Sequence, residues 1–220
     1  MEVDSSNSIA ILSFDEGGEY PRLTRSLMVE LSDLIDGIQR ELAFRGVVIA
    51  ANSKSFATGA ELEEIVPLEG VAAWEFARRG QTLFEKIARL PLPVIAAIRG
   101  YCMGGGFDLA LACHQRVATY DSAFSHPGAS LGLLTGWGGT QRLPRLIGKS
   151  AAIQILLTGE RIPATQALTL GLVDELVLSR ELIDAAVRRA TQLSAQRSLP
   201  GRFDDSDFES PGRTDNHPNF

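Results

Sequence analysis

Cysteine is almost missing from this 220-residue chain: there are two, Cys102 and Cys113. Both lie in apolar stretches, and neither has a metal-ligating partner at useful spacing. Cys113 is followed directly by His114, which does not match common zinc spacing. They read as reduced, buried thiols, and no metal site is expected. So few cysteines suit a reducing, cytoplasmic setting. Basic charge is also short. Twenty-one Lys and Arg stand against 27 Asp and Glu, for a net charge of −6. With no run of Lys and Arg, the chain lacks the basic surface that nucleic acid requires. No apolar run reaches the ~18–20 residues of a membrane span, so no membrane partner is expected. Residues 1–8 are acidic and polar, unlike a signal peptide.

What is present is apolar material. Hydrophobic residues make up 45% of the chain. That suits one globular domain, by the soft prior of roughly 100–200 residues per domain. Residues 9–14 read as a strand, broken by Gly17-Gly18. Over residues 24–42, Leu27, Leu31, Leu34, Ile35, Ile38 and Leu42 fall at helical spacing, with Thr24 placed to cap. Gly46 opens a strand, Val47-Val48-Ile49-Ala50. A helix is expected over residues 71–90, with Trp74, Ala77, Phe84 and Ile87 on one face. Pro91 and Pro93 end it. Residues 94–98 read as a strand buried on both faces, and residues 116–119 as another. Helices are expected near 107–113, 140–146, 150–157, 164–170 and 180–194. Strands alternating with helices give an α/β fold. We expect the domain to span residues 1–200. Residues 201–220, rich in Asp, Ser, Pro and Gly, read as a flexible tail.

Two segments carry possible chemistry. Gly104-Gly105-Gly106 sits between a buried strand and a helix, where backbone can approach a ligand and offer N–H groups. The helix start favours negative charge. Phosphate cradling and oxyanion stabilisation both want that arrangement, and so does a plain tight turn. It is neither a P-loop nor a Gly-x-Gly-x-x-Gly turn. Phe56-Ala57-Thr58-Gly59-Ala60 also follows a buried strand, and the two loops could converge on one oxygen.

Together these stretches resemble the crotonase, or enoyl-CoA hydratase/isomerase, family. The first signature is Val47-Val48-Ile49-Ala50 through Phe56-Ala57-Thr58-Gly59-Ala60-Glu61-Leu62. The central one runs from Pro93-Val94-Ile95-Ala96-Ala97-Ile98 through Gly104-Gly105-Gly106-Phe107-Asp108-Leu109-Ala110. Leu131-Gly132-Leu133, Gly138-Gly139-Thr140-Gln141-Arg142-Leu143, Leu157-Thr158-Gly159 and Gly171-Leu172-Val173 follow in order, so the likeness covers about residues 9–190. The resemblance implies a ClpP/crotonase-type spiral of ββα units, here with a shortened C-terminal helical region. It implies an acyl-CoA thioester as substrate and no separate cofactor. It implies a homotrimer or dimer of trimers. It also implies an oxyanion hole made by the amides of Ala60 and Gly105, with Ala57, Gly104, Gly128, Leu131 and Trp137 around the substrate.

The family's hydratases use two glutamates, one to take a proton from water and one to deliver a proton to carbon. Asp108 stands at the first position. Gly128 stands at the second and offers no carboxylate. His126, which titrates near neutrality, and Glu61, beside Ala60, are the candidates to make good the loss. Ser125 and Ser130 flank the region, but there is no nucleophile elbow to make a serine hydrolase. The expected function is therefore lyase or isomerase chemistry through a thioester enolate in acyl-CoA metabolism. Decarboxylation, thioester hydrolysis, or binding of acyl-CoA without turnover are the alternatives.

Overall fold

In the computed structural model, the described residues are 2–14, 18–41 and 43–196. Leu42 and the expected tail at 201–220 lie outside them. The chain runs β1 (Glu2–Ser6), β2 (Ile9–Phe14), α1 (Arg25–Arg40), β3 (Gly46–Ala51), α2 (Leu62–Ile65), α3 (Gly70–Ala88), β4 (Val94–Ile98), β5 (Tyr101–Met103) and α4 (Gly105–Ala112). It continues through β6 (Gln115–Thr119), β7 (Ala123–Ser125), a 3-10 turn (Pro127–Leu131), α5 (Gly139–Ile147), α6 (Lys149–Thr158), β8 (Ile162–Pro163), α7 (Ala164–Thr169), β9 (Glu175–Val177) and α8 (Leu182–Ser194).

Two sheets organise these elements. The larger has the order β1-β2-β3-β4-β6-β9, and the smaller has β5-β7-β8. Pairing in the larger sheet is parallel from β2 onward; only β1 is antiparallel. Each winding repeats one pattern. A strand of the large sheet is followed by a strand or single bridge at the small sheet, then by a helix. β4 leads to β5 and α4, and β6 leads to β7 and, later, α5. Earlier windings contribute only isolated bridges, Ala57 to Cys102 and Leu23 to Ala60. This is the ββα spiral of the crotonase fold.

Both faces of the large sheet are covered, so β3 and β4 read as unbroken apolar runs. Val47, Ile49, Val94, Ala96 and Ile98 face a core shared with Leu31, Ile35, Phe84, Ile87 and Phe107. Val48, Ala50, Ile95 and Ala97 face the other way, onto Leu182, Ala186, Val187, Ala190 and Leu193. Burying each Val, Leu or Ile side chain is worth about 1.5–3 kcal/mol before chain entropy is subtracted. The expected cap of α1 is present, with Thr24 Oγ1 accepting from the Leu27 amide at 3.3 Å.

One expectation changes, at Trp74, and three features were not foreseen. The acidic start forms strand β1, joined to β2 by Asn7 and Ser8 at φ 52° and 62°. Two residues of positive φ are what a type I′ hairpin loop needs, and no glycine announced it. Trp74 does not share the buried face of α3; it is 63% exposed, with Arg78 against its ring. The short strands β5, β7, β8 and β9 were not foreseen as strands, because two or three residues leave no period to read. Arg116, fully buried, was also unforeseen as a tie. Its guanidinium donates to the carbonyls of Ala110 and Cys113 and to Asp174 Oδ2 at 3.0 Å, joining β6 to α4 and to the turn before β9.

Candidate active site

The three consecutive glycines each answer a different steric demand. Gly104 takes φ 53° and turns the chain from β5 into α4. A methyl on Gly105 would fall 2.3 Å from the Trp137 ring, and one on Gly106 would fall 2.4 Å from the Ala57 carbonyl oxygen. The glycines therefore let α4 start directly against the loop of residues 56–60. A methyl built on Gly59 would lie 3.4 Å from the Gly105 nitrogen. The parallel bridge at Ala57 holds this approach, with Met103 N donating to Ala57 O at 2.8 Å. Neither the Ala60 nor the Gly105 amide donates to any acceptor among the described residues. Gly105 is free because it begins a helix, where the first amides have no carbonyl behind them.

Asp108 lies one turn into α4 and is buried. Its carboxylate is held from three sides. Thr135 Oγ1 donates to Oδ2. His126, at the end of β7, brings Nε2 to 3.5 Å from Oδ1. Gly139 opens α5 against the same oxygen, where a methyl would sit 2.2 Å from Oδ1 and 3.1 Å from His126 Nε2. Oδ1 and Nε2 have no hydrogen-bond partner among the described residues. The His126 ring is buried and stacked on Phe107, centroids 4.8 Å apart.

Burial sets the charge state of this pair. It pushes the Asp108 carboxyl from 3.8 up to about 7, against the opposing pull of the Thr135 hydroxyl, the Arg142 charge and the amides of Trp137 and Gly139. It pushes His126 from 6.5 down to about 4. Both shifts follow from one cause, the penalty on charge in a dry interior. Near neutrality the imidazole is uncharged, and the pair carries one exchangeable proton, mostly on the carboxyl below pH 7. Perturbed titration of this kind, on groups facing each other, is characteristic of functional sites.

The other expected residues fall as follows. Glu61 precedes α2 as its N-cap residue and makes no side-chain capping hydrogen bond. Gly128 lies in the 3-10 turn, where a methyl would come within 3.3 Å of the Leu133 carbonyl oxygen. Leu131 is exposed on that turn. Trp137 is buried, wedged between Gly80 and Gly105 and against Phe76 and Phe84, with its indole N–H donating to Phe76 O at 3.3 Å. Thr135, Gly139 and Arg142 were not singled out as site residues by sequence. A hydroxyl or a glycine that matters only through the carboxylate it approaches leaves no mark in the sequence.

A ββα spiral of this kind defines a crotonase-type scaffold. The chain belongs to the enoyl-CoA hydratase/isomerase family, whose model matches residues 4–209. It is 33% identical to DspI of Pseudomonas aeruginosa over 91% of this chain and 77% of that one, with a TM-score of 0.83. It is 33% identical to an enoyl-CoA hydratase from Bacillus anthracis over 87% of this chain and 75% of that one, with a TM-score of 0.82. Among the described residues, no helix is long and apolar enough to cross a membrane.

Proposed function

We propose that this protein binds acyl-CoA thioesters and moves a proton at the acyl chain through a thioester enolate, with Asp108 and His126 together in place of two glutamates. The observation that carries this reading is the facing pair of buried, otherwise unpartnered atoms, Asp108 Oδ1 and His126 Nε2, 3.5 Å apart. That separation is longer than a hydrogen bond. Catalytic contacts in unliganded sites are often long and tighten with substrate.

The thioester oxygen would sit between the amides of Ala60 and Gly105. As negative charge grows on that oxygen, two fixed N–H dipoles stabilise it without reorganising; losing one such donor costs about 10²–10³ in rate elsewhere. In hydration, the ionised pair takes a proton from water as the oxygen bonds to C3. The C2=C3 electrons shift to the thioester as enolate, and the pair then returns its proton to C2. In double-bond isomerisation, the pair takes a proton from C2 and returns it at C4. Either route starts and ends with the same protonation state, so one carrier suffices. The chemistry needs coenzyme A only as part of the substrate. Glu61 belongs to the reading as a helper beside Ala60. Ala57, Gly104, Gly128, Leu131 and Trp137 belong to it as surroundings of the acyl group.

Assembly as a homotrimer or a dimer of trimers is part of the same proposal. It is supported by exposed Leu131, Leu133, Leu134, Ile153 and Leu157, and light scattering would test it. Release of CoA thiol from acyl-CoA, loss of CO2 from a carboxyacyl-CoA, or binding with no turnover would each replace the enolate proton-transfer reading. An assay panel of enoyl-CoA, 3-enoyl-CoA, malonyl-type and saturated acyl-CoA esters separates them.

A further inference from the structure

The buried carboxylate is not symmetric, and the asymmetry comes from a residue outside the family-like motifs. Asp108 Oδ2 accepts from the Thr135 hydroxyl, while Oδ1 faces His126 and has no hydrogen-bond partner among the described residues. Thr135 begins the turn that ends in Gly139, and the missing side chain at Gly139 lets backbone close over the same carboxylate. From these contacts we infer that Thr135 is a positioning residue: it anchors Oδ2, so that Oδ1 is the atom that carries the proton toward His126 and the acyl group. This inference rests on the reading of Asp108 given above.

The geometry supports a device rather than a chance contact. Asp108 sits on α4, and a free carboxylate could rotate about its last bond and exchange its two oxygens. A hydroxyl fixed on Oδ2 by a separate element removes that freedom, in the way a second partner fixes a catalytic imidazole. Thr135 also lines a groove of about 880 Å³ bounded by α3 and α5, so its outer side meets solvent while its hydroxyl meets the buried acid. The titratable groups that face Asp108 are His126 after β7 and Arg142 of α5, and the backbone amides of Trp137 and Gly139 also act on its carboxylate. Arg142 is itself engaged with Glu85 of α3 and with the Trp137 carbonyl, so its field stays in place when the hydroxyl is removed.

The test is a titration of the free protein, with carbon-13 in the aspartate carboxyls and Asp108 assigned by its absence in Asp108→Asn. Thr135→Val keeps the shape and loses the hydroxyl. A hydrogen bond to an ionised group is worth enough to move a titration by about one to two pH units. The Asp108 midpoint in Thr135→Val should therefore rise by that amount, while Thr135→Ser should stay within a few tenths of the parent. A Thr135→Val midpoint equal to the parent's would overturn the inference. If Thr135→Val does not fold, Thr135→Ala replaces it, with the same expectation and the same overturning result. Because the titration needs no turnover, it separates the two claims. A raised midpoint in a protein that turns over no acyl-CoA would keep the anchoring role and remove the proposed function.

Discussion

Gly139→Ala is the most informative single substitution at this site. The backbone at Gly139 does not need positive φ, so alanine carries no conformational strain there. Its methyl would lie 2.2 Å from Asp108 Oδ1, 2.8 Å from Thr135 Cγ2 and 3.1 Å from His126 Nε2. Ordinary carbon–oxygen contact requires the carboxylate to retreat by roughly 1 Å. A displacement of about 1 Å at a reacting group can cost about 10²-fold. Overpacking of one methyl costs about 1–3 kcal/mol in stability. At this chain length, that is a melting shift of about 2–4 °C per kcal/mol. The comparator is Gly136→Ala in the same turn, whose methyl would meet only Ala77 Cβ at 3.8 Å. Turnover of trans-2-enoyl-CoA, followed by loss of the conjugated thioester absorbance, should fall about 10²-fold in kcat for Gly139→Ala. It should change less than about twofold for Gly136→Ala. A folded Gly139→Ala protein with parental kcat would refute the claim that the placement of the Asp108 carboxylate matters.

Two stability predictions follow from the buried charges. Asp174→Ala removes the carboxylate that Arg116 meets at 3.0 Å, and stranding a buried cation costs about 3–5 kcal/mol. Urea denaturation should show that loss, and a change below about 1 kcal/mol would contradict it. The second concerns pH. Folded Asp108 keeps its proton up to about pH 7, whereas the unfolded chain releases it near 3.8. The folded state then binds more protons in that window, so Asp108 makes stability fall as pH rises from about 4 to 7. His126 acts oppositely: folded it stays neutral down to about 4, while unfolded it protonates below 6.5, so its contribution makes stability rise with pH between them. The two nearly offset in the parent. Asp108→Asn should uncover a rise of the urea midpoint between pH 4.5 and 6.5, and His126→Gln should uncover a fall. Both variants tracking the parent would show that the pair is not buried as described.

The fold was legible where the chain is periodic or continuous. Residues 94–98 could hardly be anything but a strand covered on both faces, and α1 was marked by its stripe and by Thr24. Legibility failed where an element is two or three residues long, as in β5 and β7, which are held by pairing between distant segments rather than by local pattern. It failed again at Trp74, where helical phase over a long segment drifts and one large apolar residue was placed on the wrong side. At the candidate site, Asp108, His126 and the loop amides could be named as candidates because glycine clusters and position mark them. Thr135 and Gly139 were not, since their importance lies in what they approach. A hydroxyl near a carboxylate and a glycine with ordinary φ look like any other turn until the carboxylate is brought beside them.

The most direct test of the central claim is hydration of short- and medium-chain trans-2-enoyl-CoA by the purified protein, with Asp108→Asn and His126→Gln measured alongside. The account predicts prompt loss of the conjugated thioester absorbance, abolished in Asp108→Asn and strongly reduced in His126→Gln, with thioester binding retained in both. Measurable acyl-CoA binding with no loss of absorbance, and no double-bond migration from 3-enoyl-CoA, would contradict it.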